Sequence, residues 1–598
     1  MIEAIVQIGN MIKNGILEQF EIEKGTNLIC LNFDTEINEI EVKIDRELTS
    51  DFLVSTGYRG VKRGSGKEYS VIVFGDKKYL KYFGIGEPAS TTKFSLLNIC
   101  EEIKRGKDAD KKELANKLDK IISQFYENKY GKYLLKDYEI ITNKIKSISG
   151  NTPFYLQVCL DGIPLWKVYK HKISGKIIDS VKCSICSKRG VLKNFDTNYL
   201  KFLKFFGKDK LGFYPGTSLE NQWKVLPLCP ECAESIVLSD VYLKESKFNI
   251  KIAGNLNLLV LPNIPEWKSL SKEFIRRSFS LLTKATDMLT GWRELSQFDV
   301  YAEKIFETKD IKLHLVVNTY DGQTLKIYAS LTNIPPSRIK SLALLLKDIS
   351  LFISNFINIS FSLKTLYNLL SGKSSVQSAK TPLIKEKFAE VFKNLILGNQ
   401  FPDLILIKPG LELSKWQFEN RDDLEWIKTI RIIEGFLLVK EFMKGIKFNL
   451  NGGKIMDNIF DEAQEYVNNL PIYQGKDGDI RKGLFFLGYI ISQIAGKQRE
   501  KGLGETILDK IQFRGMNKEH VLRLFNQVFE YMRIYDLQQF PENSKLMGEI
   551  ASIFDRYLNK WNLSIEETVY FILSGYAFLV SRLIGRKKEI PKKEEEHE

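Results

Sequence analysis

Two short cysteine pairs, Cys183-Ser-Ile-Cys186 and Cys229-Pro-Glu-Cys232, constrain this chain more than any other feature. Thiolates separated by two residues wrap a metal in a tight turn, and a second pair completes four sulfur ligands. Structural zinc is the first reading. An iron–sulfur cluster takes the same four thiolates, and four unliganded cysteines are the plain alternative, against which the paired spacing argues. The pairs stand 42 residues apart, from Ser187 to Leu228, so a folded segment is expected between them. A site closed by four protein ligands clamps structure and leaves no open position for metal catalysis. Cys30, Cys100 and Cys159 lie singly in apolar runs and read as buried core thiols.

Length and charge bound the rest. A chain of 598 residues has room for roughly four domains. The opening Met1-Ile-Glu-Ala-Ile has no basic region of a signal peptide. The most apolar run, Thr568 to Ser581, is closed by Glu567 and Arg582 and is too short to span a bilayer. With seven cysteines, four in metal spacing, a reducing cytoplasm is expected and no membrane partner. The formal charge is +14, which favours a polyanionic partner or reflects a generally lysine-rich background. The histidines, His171, His314, His520 and His597, are scattered, which is poor material for acid–base or metal-dependent nuclease chemistry.

The fold class expected is α+β: a mixed α/β N-terminal body with an inserted four-cysteine zinc module, then an α-helical half ending in a bundle. Residues 1–15 read as an amphipathic helix. Alternating segments at Phe20–Glu23, Leu28–Phe33, Glu39–Ile44 and Tyr69–Phe74 read as strands. Residues 92–148 read as helix-rich. Strands return at Phe154–Leu160, Ile250–Ala253 and Leu256–Leu261, then a helix near Lys268–Leu295 and a hairpin at Lys312–Asn318 and Leu325–Ser330. After Pro335-Pro336 helical periodicity takes over. The resulting partition is an α/β domain (1–178), the zinc module (179–240), a continuation of the body (241–335), a helical domain (336–455) and a terminal bundle (456–598).

Catalytic motifs fail on inspection. Gly372-Lys-Ser resembles the end of a phosphate-binding loop, but Tyr367 stands where the motif needs glycine. The segment Gly57 to Lys67 is different. Its glycines let the backbone approach a ligand, and Arg59, Lys62, Arg63 and Lys67 surround Tyr58, a mixture suited to phosphates and a stacked base. A mobile basic loop without a partner is the plain alternative. Between the cysteine pairs, Lys204, Lys208 and Lys210 interleave with aromatic residues, which equally suits an amphipathic helix burying its rings. In the terminal bundle Arg481, Lys482, Lys497, Arg499, Arg514 and Lys518 are further candidates for nucleic-acid contact. Two apolar stripes there, Phe485–Ile491 and Tyr570–Tyr576, each hold a Gly-Tyr, read as bundle core with close helix contact at glycine.

Taken together, the opening helix, the paired cysteines at 183/186 and 229/232, and the order body, zinc module, helical C-terminus resemble the large subunit of a type I-B CRISPR surveillance complex (Cascade). That resemblance implies a non-catalytic subunit. It implies binding of the 5′ end of a guide (CRISPR) RNA and of target double-stranded DNA, and recognition of a short protospacer-adjacent motif (PAM). Steadying of the displaced strand in the R-loop follows. The implied partners are Cascade backbone and small subunits and a recruited helicase–nuclease, with sequence read by guide pairing and the protein reading motif and backbone. No catalytic residue carries over. Asn451-Gly-Gly-Lys-Ile-Met456 can be encoded with a ribosome-binding sequence in its glycine codons, so Met456 is a candidate internal translation start yielding the terminal bundle as a small subunit. A Gly-Gly turn before a helix is the simpler account. The alternatives are a metal-dependent nuclease and a zinc-containing protein-interaction subunit of another nucleoprotein assembly.

Overall fold

The computed structural model describes the chain apart from residues 18–21, 50–51, 54–71, 76, 106–110, 170–175, 194–199, 201, 204–222, 225, 246–247, 265–266, 281–310, 321–324, 355–356, 373–381, 421–422, 446–457, 505 and 590–598. The chain divides into two compact units, Met1–Lys247 with Glu266–Arg276 and Asp321–Leu325, and Phe248–Pro265 with Arg277–Tyr320 and Lys326–Glu598.

In the first unit the apolar run Asn27–Asp34 forms β1, buried along nearly its whole length. It pairs antiparallel with β2 (Glu39–Glu47) and parallel with Phe154–Leu160, the seventh strand of the chain (β7). Ile72–Phe74 (β3) closes the far side of β7, and the short Ile163–Pro164 (β8) also pairs with it. The burial pattern follows from position. A central strand covered on both faces reads as continuous apolar sequence, whereas β2 lies at the edge and carries Glu39, Glu41, Lys43, Asp45, Arg46 and Glu47, charges that discourage pairing with another chain. Helices α2 (Ser95–Arg105), α3 (Lys112–Phe125) and α4 (Tyr138–Ser149) supply the rest of the core, with Leu96, Ile99, Leu118, Ile121 and Ile141 against Leu28, Leu31 and Phe33.

The stretch 92–148 is helix-rich as expected, and it also holds a hairpin that the pattern did not show: Tyr126–Lys129 (β5) and Lys132–Leu135 (β6) pair, and Ala89–Ser90 (β4) adds a third strand. The hairpin is anchored by Phe94, whose ring stacks on Tyr133 at 4.5 Å and meets Tyr126 edge-on at 4.9 Å. Cys30 and Cys159 are buried as expected but are not free thiols; parallel pairing of β1 with β7 brings them together, and they are disulfide-bonded. Phe20 and Glu21 lie outside the described residues, and no strand covers Ile22–Glu23.

The second unit contains a four-stranded sheet in the order β11 (Asn249–Ala253), β12 (Leu256–Asn263), β13 (Lys312–Tyr320), β14 (Leu325–Ile334); the strands lie where the sequence pattern placed them, and the antiparallel pairing of β12 with β13 joins them into one sheet. From Pro336 onward the described elements are helical. Gly372 ends helix Leu363–Ser371 with a φ of 53°, a helix stop rather than part of a phosphate loop. Two long helices, Gly478–Glu500 and Ile565–Glu589, touch backbone to backbone. A Cβ on Gly488 would lie 1.8 Å from the Ile572 carbonyl oxygen, and one on Gly575 would lie 1.8 Å from that of Phe485. The two Gly-Tyr stripes are therefore one contact, seen from each side.

The apolar run at 568–581 does not stop at its charged flanks. It is the middle of the long last helix, of which Ile565–Gly585 is by length and composition apolar enough to cross a membrane, and 89% of that window is buried inside the protein. Arg582 fails to end the run because its guanidinium is buried and pairs with the Glu462 carboxylate at 2.6 Å. A second buried group lies nearby: Arg431 pairs with Glu434 and donates to the Tyr466 hydroxyl at 2.8 Å, while that hydroxyl donates to Glu434 at 2.5 Å. Trp426 packs on Tyr576 (5.3 Å) and Phe418 on Phe513 (5.2 Å). Helices on the two sides of residue 456 thus share one core.

Candidate metal centre and basic positions

The first cysteine pair is the turn of a hairpin. Ile177–Lys182 (β9) and Arg189–Leu192 (β10) run antiparallel, and the Cys183 N–H donates to the Lys188 carbonyl at 2.8 Å. Ser187 N–H donates to the Cys183 carbonyl at 3.0 Å, with Ser187 itself at a φ of 59°. The second pair starts a helix, Pro230–Glu245. Proline suits the first helical position because its missing N–H has no partner there. Cys232 falls in the first turn, where the positive end of the helix dipole favours a thiolate. Backbone bonds stitch the pairs together: Ser184 N–H to the Pro227 carbonyl (2.9 Å) and Leu192 N–H to the Leu228 carbonyl (2.8 Å).

The result is a convergent cluster. The sulfurs of Cys183, Cys186, Cys229 and Cys232 all lie within 4.8 Å of one another, with Cys186 Sγ and Cys229 Sγ at 3.5 Å. Four sulfurs at about 2.3 Å from one tetrahedral ion are about 3.8 Å apart. The cluster can therefore hold one metal ion, and it leaves no space for several irons between the thiolates. Protons are distributed unevenly. Burial disfavours the Cys183 thiolate, but backbone and side-chain hydrogen bonds from Cys186, Cys229 and Ile185 outweigh it and lower the thiol to about 7. Burial pushes Cys229 up to about 11. Burial, then the negative charge of Cys229 and Cys183, raises Cys232 further. A metal ion entering the cluster must displace the protons that burial keeps on Cys229 and Cys232.

The cluster is fastened to the chain's first helix, Ile2–Lys13 (α1). A Cβ on Gly9 would lie 1.9 Å from the Ser235 carbonyl oxygen, so α1 and the cysteine-bearing helix pack at backbone distance. Ser235 Oγ bonds Asn10 Oδ1 at 2.8 Å, and Ser239 Oγ donates to the Ile5 carbonyl. Exposed pairs Lys13–Glu234 (2.9 Å) and Lys188–Glu231 (2.6 Å) flank it. The amphipathic pattern had shown that α1 buries one face; nothing in it named the partner helix, although Gly9 opposite Ser235 and Ser239 is the small-residue signal of close packing.

The basic candidates separate into two sets. Arg59, Lys62, Arg63, Lys67, Lys204, Lys208, Lys210 and Met456 lie outside the described residues. Between the cysteine pairs Phe202 is buried, its N–H held at 2.9 Å by Asp240, so that ring packs inside. In the helical half, Arg481 is engaged internally: it donates to the Ile472 carbonyl at 2.9 Å and its guanidinium lies 5.1 Å from the Phe571 ring centre. Lys482 donates to Asn468 (2.9 Å), Lys497 to Glu500 (2.7 Å) and Lys518 to the Leu558 carbonyl (3.0 Å). Arg499 and Arg514 are exposed.

Fold and cluster together define a two-unit α+β protein carrying a four-cysteine site able to hold a metal ion. Residues 180–329 match the central domain, and residues 361–589 the C-terminal domain, of the family described as CRISPR-associated protein TM1802 (cas_TM1802); the two matches cover more than half of the chain, which belongs to that family. The central-domain match contains all four clustered cysteines. No curated protein matches the chain.

Proposed function

We propose that this CRISPR-associated protein is the non-catalytic large subunit of a type I-B Cascade, with zinc as the ion held by its cysteines. In this role it binds the 5′ end of the guide RNA, inspects target duplex for the adjacent motif, steadies the R-loop and offers a surface to a helicase–nuclease. The observation that carries the proposal is the TM1802 family membership of both the cysteine-bearing and helical parts. Two physical features support it. Four protein thiolates fill a tetrahedral coordination sphere, which suits a structural clamp. The +14 charge suits a polyphosphate partner.

The test is copurification. Expressed with its neighbouring genes and a guide RNA, the tagged chain should pull down that RNA, and the complex should shift duplex DNA bearing a matching target. Binding should weaken steeply with salt, because each phosphate contact releases counterions. Pure chain incubated with labelled DNA and Mg²⁺ or Mn²⁺ should leave the DNA intact. Cleavage lost on chelation would favour the nuclease alternative. Copurification with proteins but never with nucleic acid would favour the protein-interaction alternative.

A further inference from the structure

The turn between β5 and β6 combines two locally unfavourable choices. Tyr130 and Gly131 form a two-residue loop with φ of 54° and 70°. Positive φ at both positions is the type I′ pattern, which favours asparagine, aspartate or glycine at the first position; a bulky aromatic side chain is disfavoured there. The tyrosine gains nothing by burial to offset this, since it is 103% exposed, the most open of the exposed large apolar or aromatic side chains among the described residues. Directly below, Lys129 and Lys132 are cross-strand partners. Like charges in that arrangement repel. Lys132 is exposed, and Lys129 is 80% exposed and pairs with the Glu127 carboxylate at 3.5 Å.

The turn is nonetheless firmly held. Thr91 N–H donates to the Gly131 carbonyl at 3.1 Å, and Asn128 Oδ1 accepts the Gly131 N–H at 3.1 Å. The Phe94–Tyr133 stack anchors the strands beneath. A rigid arm thus presents an exposed aromatic ring between two exposed cations. Strained, exposed residues of this kind concentrate at contact sites.

We infer that Tyr130 is a stacking contact for an unpaired nucleobase of single-stranded nucleic acid, with Lys129 and Lys132 on the flanking phosphates. A base offers the ring a π face, and phosphates relieve the repulsion between the lysines. The inference rests on the nucleic-acid reading above and assigns part of that contact to a place the basic motifs did not mark.

The test uses the full chain, alone and in the assembly with which it purifies, with a single-stranded oligonucleotide carrying 2-aminopurine and a blunt duplex as probes. Tyr130→Asn suits the turn better than the native residue, so its melting temperature should stay or rise, which separates binding from folding. Its affinity for the single strand should fall roughly five- to 150-fold, with loss of 2-aminopurine quenching, while the salt slope holds. Tyr130→Phe should behave as wild type. Lys129→Ala with Lys132→Ala should reduce the salt slope by about 1.4. Wild-type affinity and quenching in Tyr130→Asn would overturn the inference and leave the nucleic-acid role standing. A wild type that binds neither probe, alone or assembled, would remove that role and the inference with it.

Discussion

Stripping the ion from the cysteine cluster should unfold a defined piece of the first unit and leave the rest in place. Without metal, the hairpin β9–β10 is held to the second cysteine pair by the Ser184–Pro227 and Leu192–Leu228 backbone bonds and closed by Cys183–Lys188. Each contributes about 1 kcal/mol net, together about 3 kcal/mol. The Lys188–Glu231 pair is more than half exposed on both partners and adds little. Ordering the backbone of residues 177–192 opposes this at about 1–2 kcal/mol per residue. The deficit exceeds what these bonds, the short β9–β10 ladder and the few buried side chains there, such as Val191 and Leu192, supply, so an ion in the cluster should decide whether the hairpin is ordered. Helix Pro230–Glu245 has an independent anchor in α1 through Gly9, Asn10 and Ser239, and should stay folded. Hydrogen exchange read by mass spectrometry, before and after a chelator or in Cys232→Ser, checks this. Peptides over 177–192 should lose protection by orders of magnitude while those over 2–13 and 235–243 keep most of theirs. Unchanged protection at 177–192 in protein shown by elemental analysis to have lost its ion would refute the reasoning. Protons compete with the metal for the sulfurs, and burial favours the protonated form of Cys229 and Cys232, so ion loss should become easier as pH falls.

Three further outcomes are expected. Gly575→Ala places a methyl 1.8 Å from the Phe485 carbonyl oxygen, which must force the two long helices apart; a loss of at least about 1–3 kcal/mol should appear in urea unfolding. Arg431→Met strands a buried Glu434 and should destabilise by about 3–5 kcal/mol, whereas adding Glu434→Met should recover much of it; equal losses in the single and double variants would argue against the pair. Cys100 is buried and donates to Asp119, which together push its thiol from 9.0 up to about 12, so native protein at pH 8 should leave it unalkylated by iodoacetamide while denatured protein does not. Folding holds that proton more tightly than the unfolded chain does. The associated stability is complete below about pH 9 and declines as pH rises toward 12.

Residue spacing and periodicity alone determined the grouping of the four cysteines, the α+β order, the apolar strands β1 and β7, the strands of the second unit and the close helix contact at the bundle glycines. Each is a local pattern, or a pair of patterns whose chemistry has few other uses. Tertiary structure decided what depends on distant partners. A lysine- and tyrosine-rich stretch became a hairpin because Phe94 stacks against it. Cys30 and Cys159, 129 residues apart, met because their strands lie side by side. Arg582, which reads as the end of an apolar run, went inside because Glu462 waits there. The place where the cysteine helix docks on the first helix, and the exposure of Tyr130, likewise appear only once the chain has folded, since burial and pairing belong to contacts between segments and no single segment encodes them.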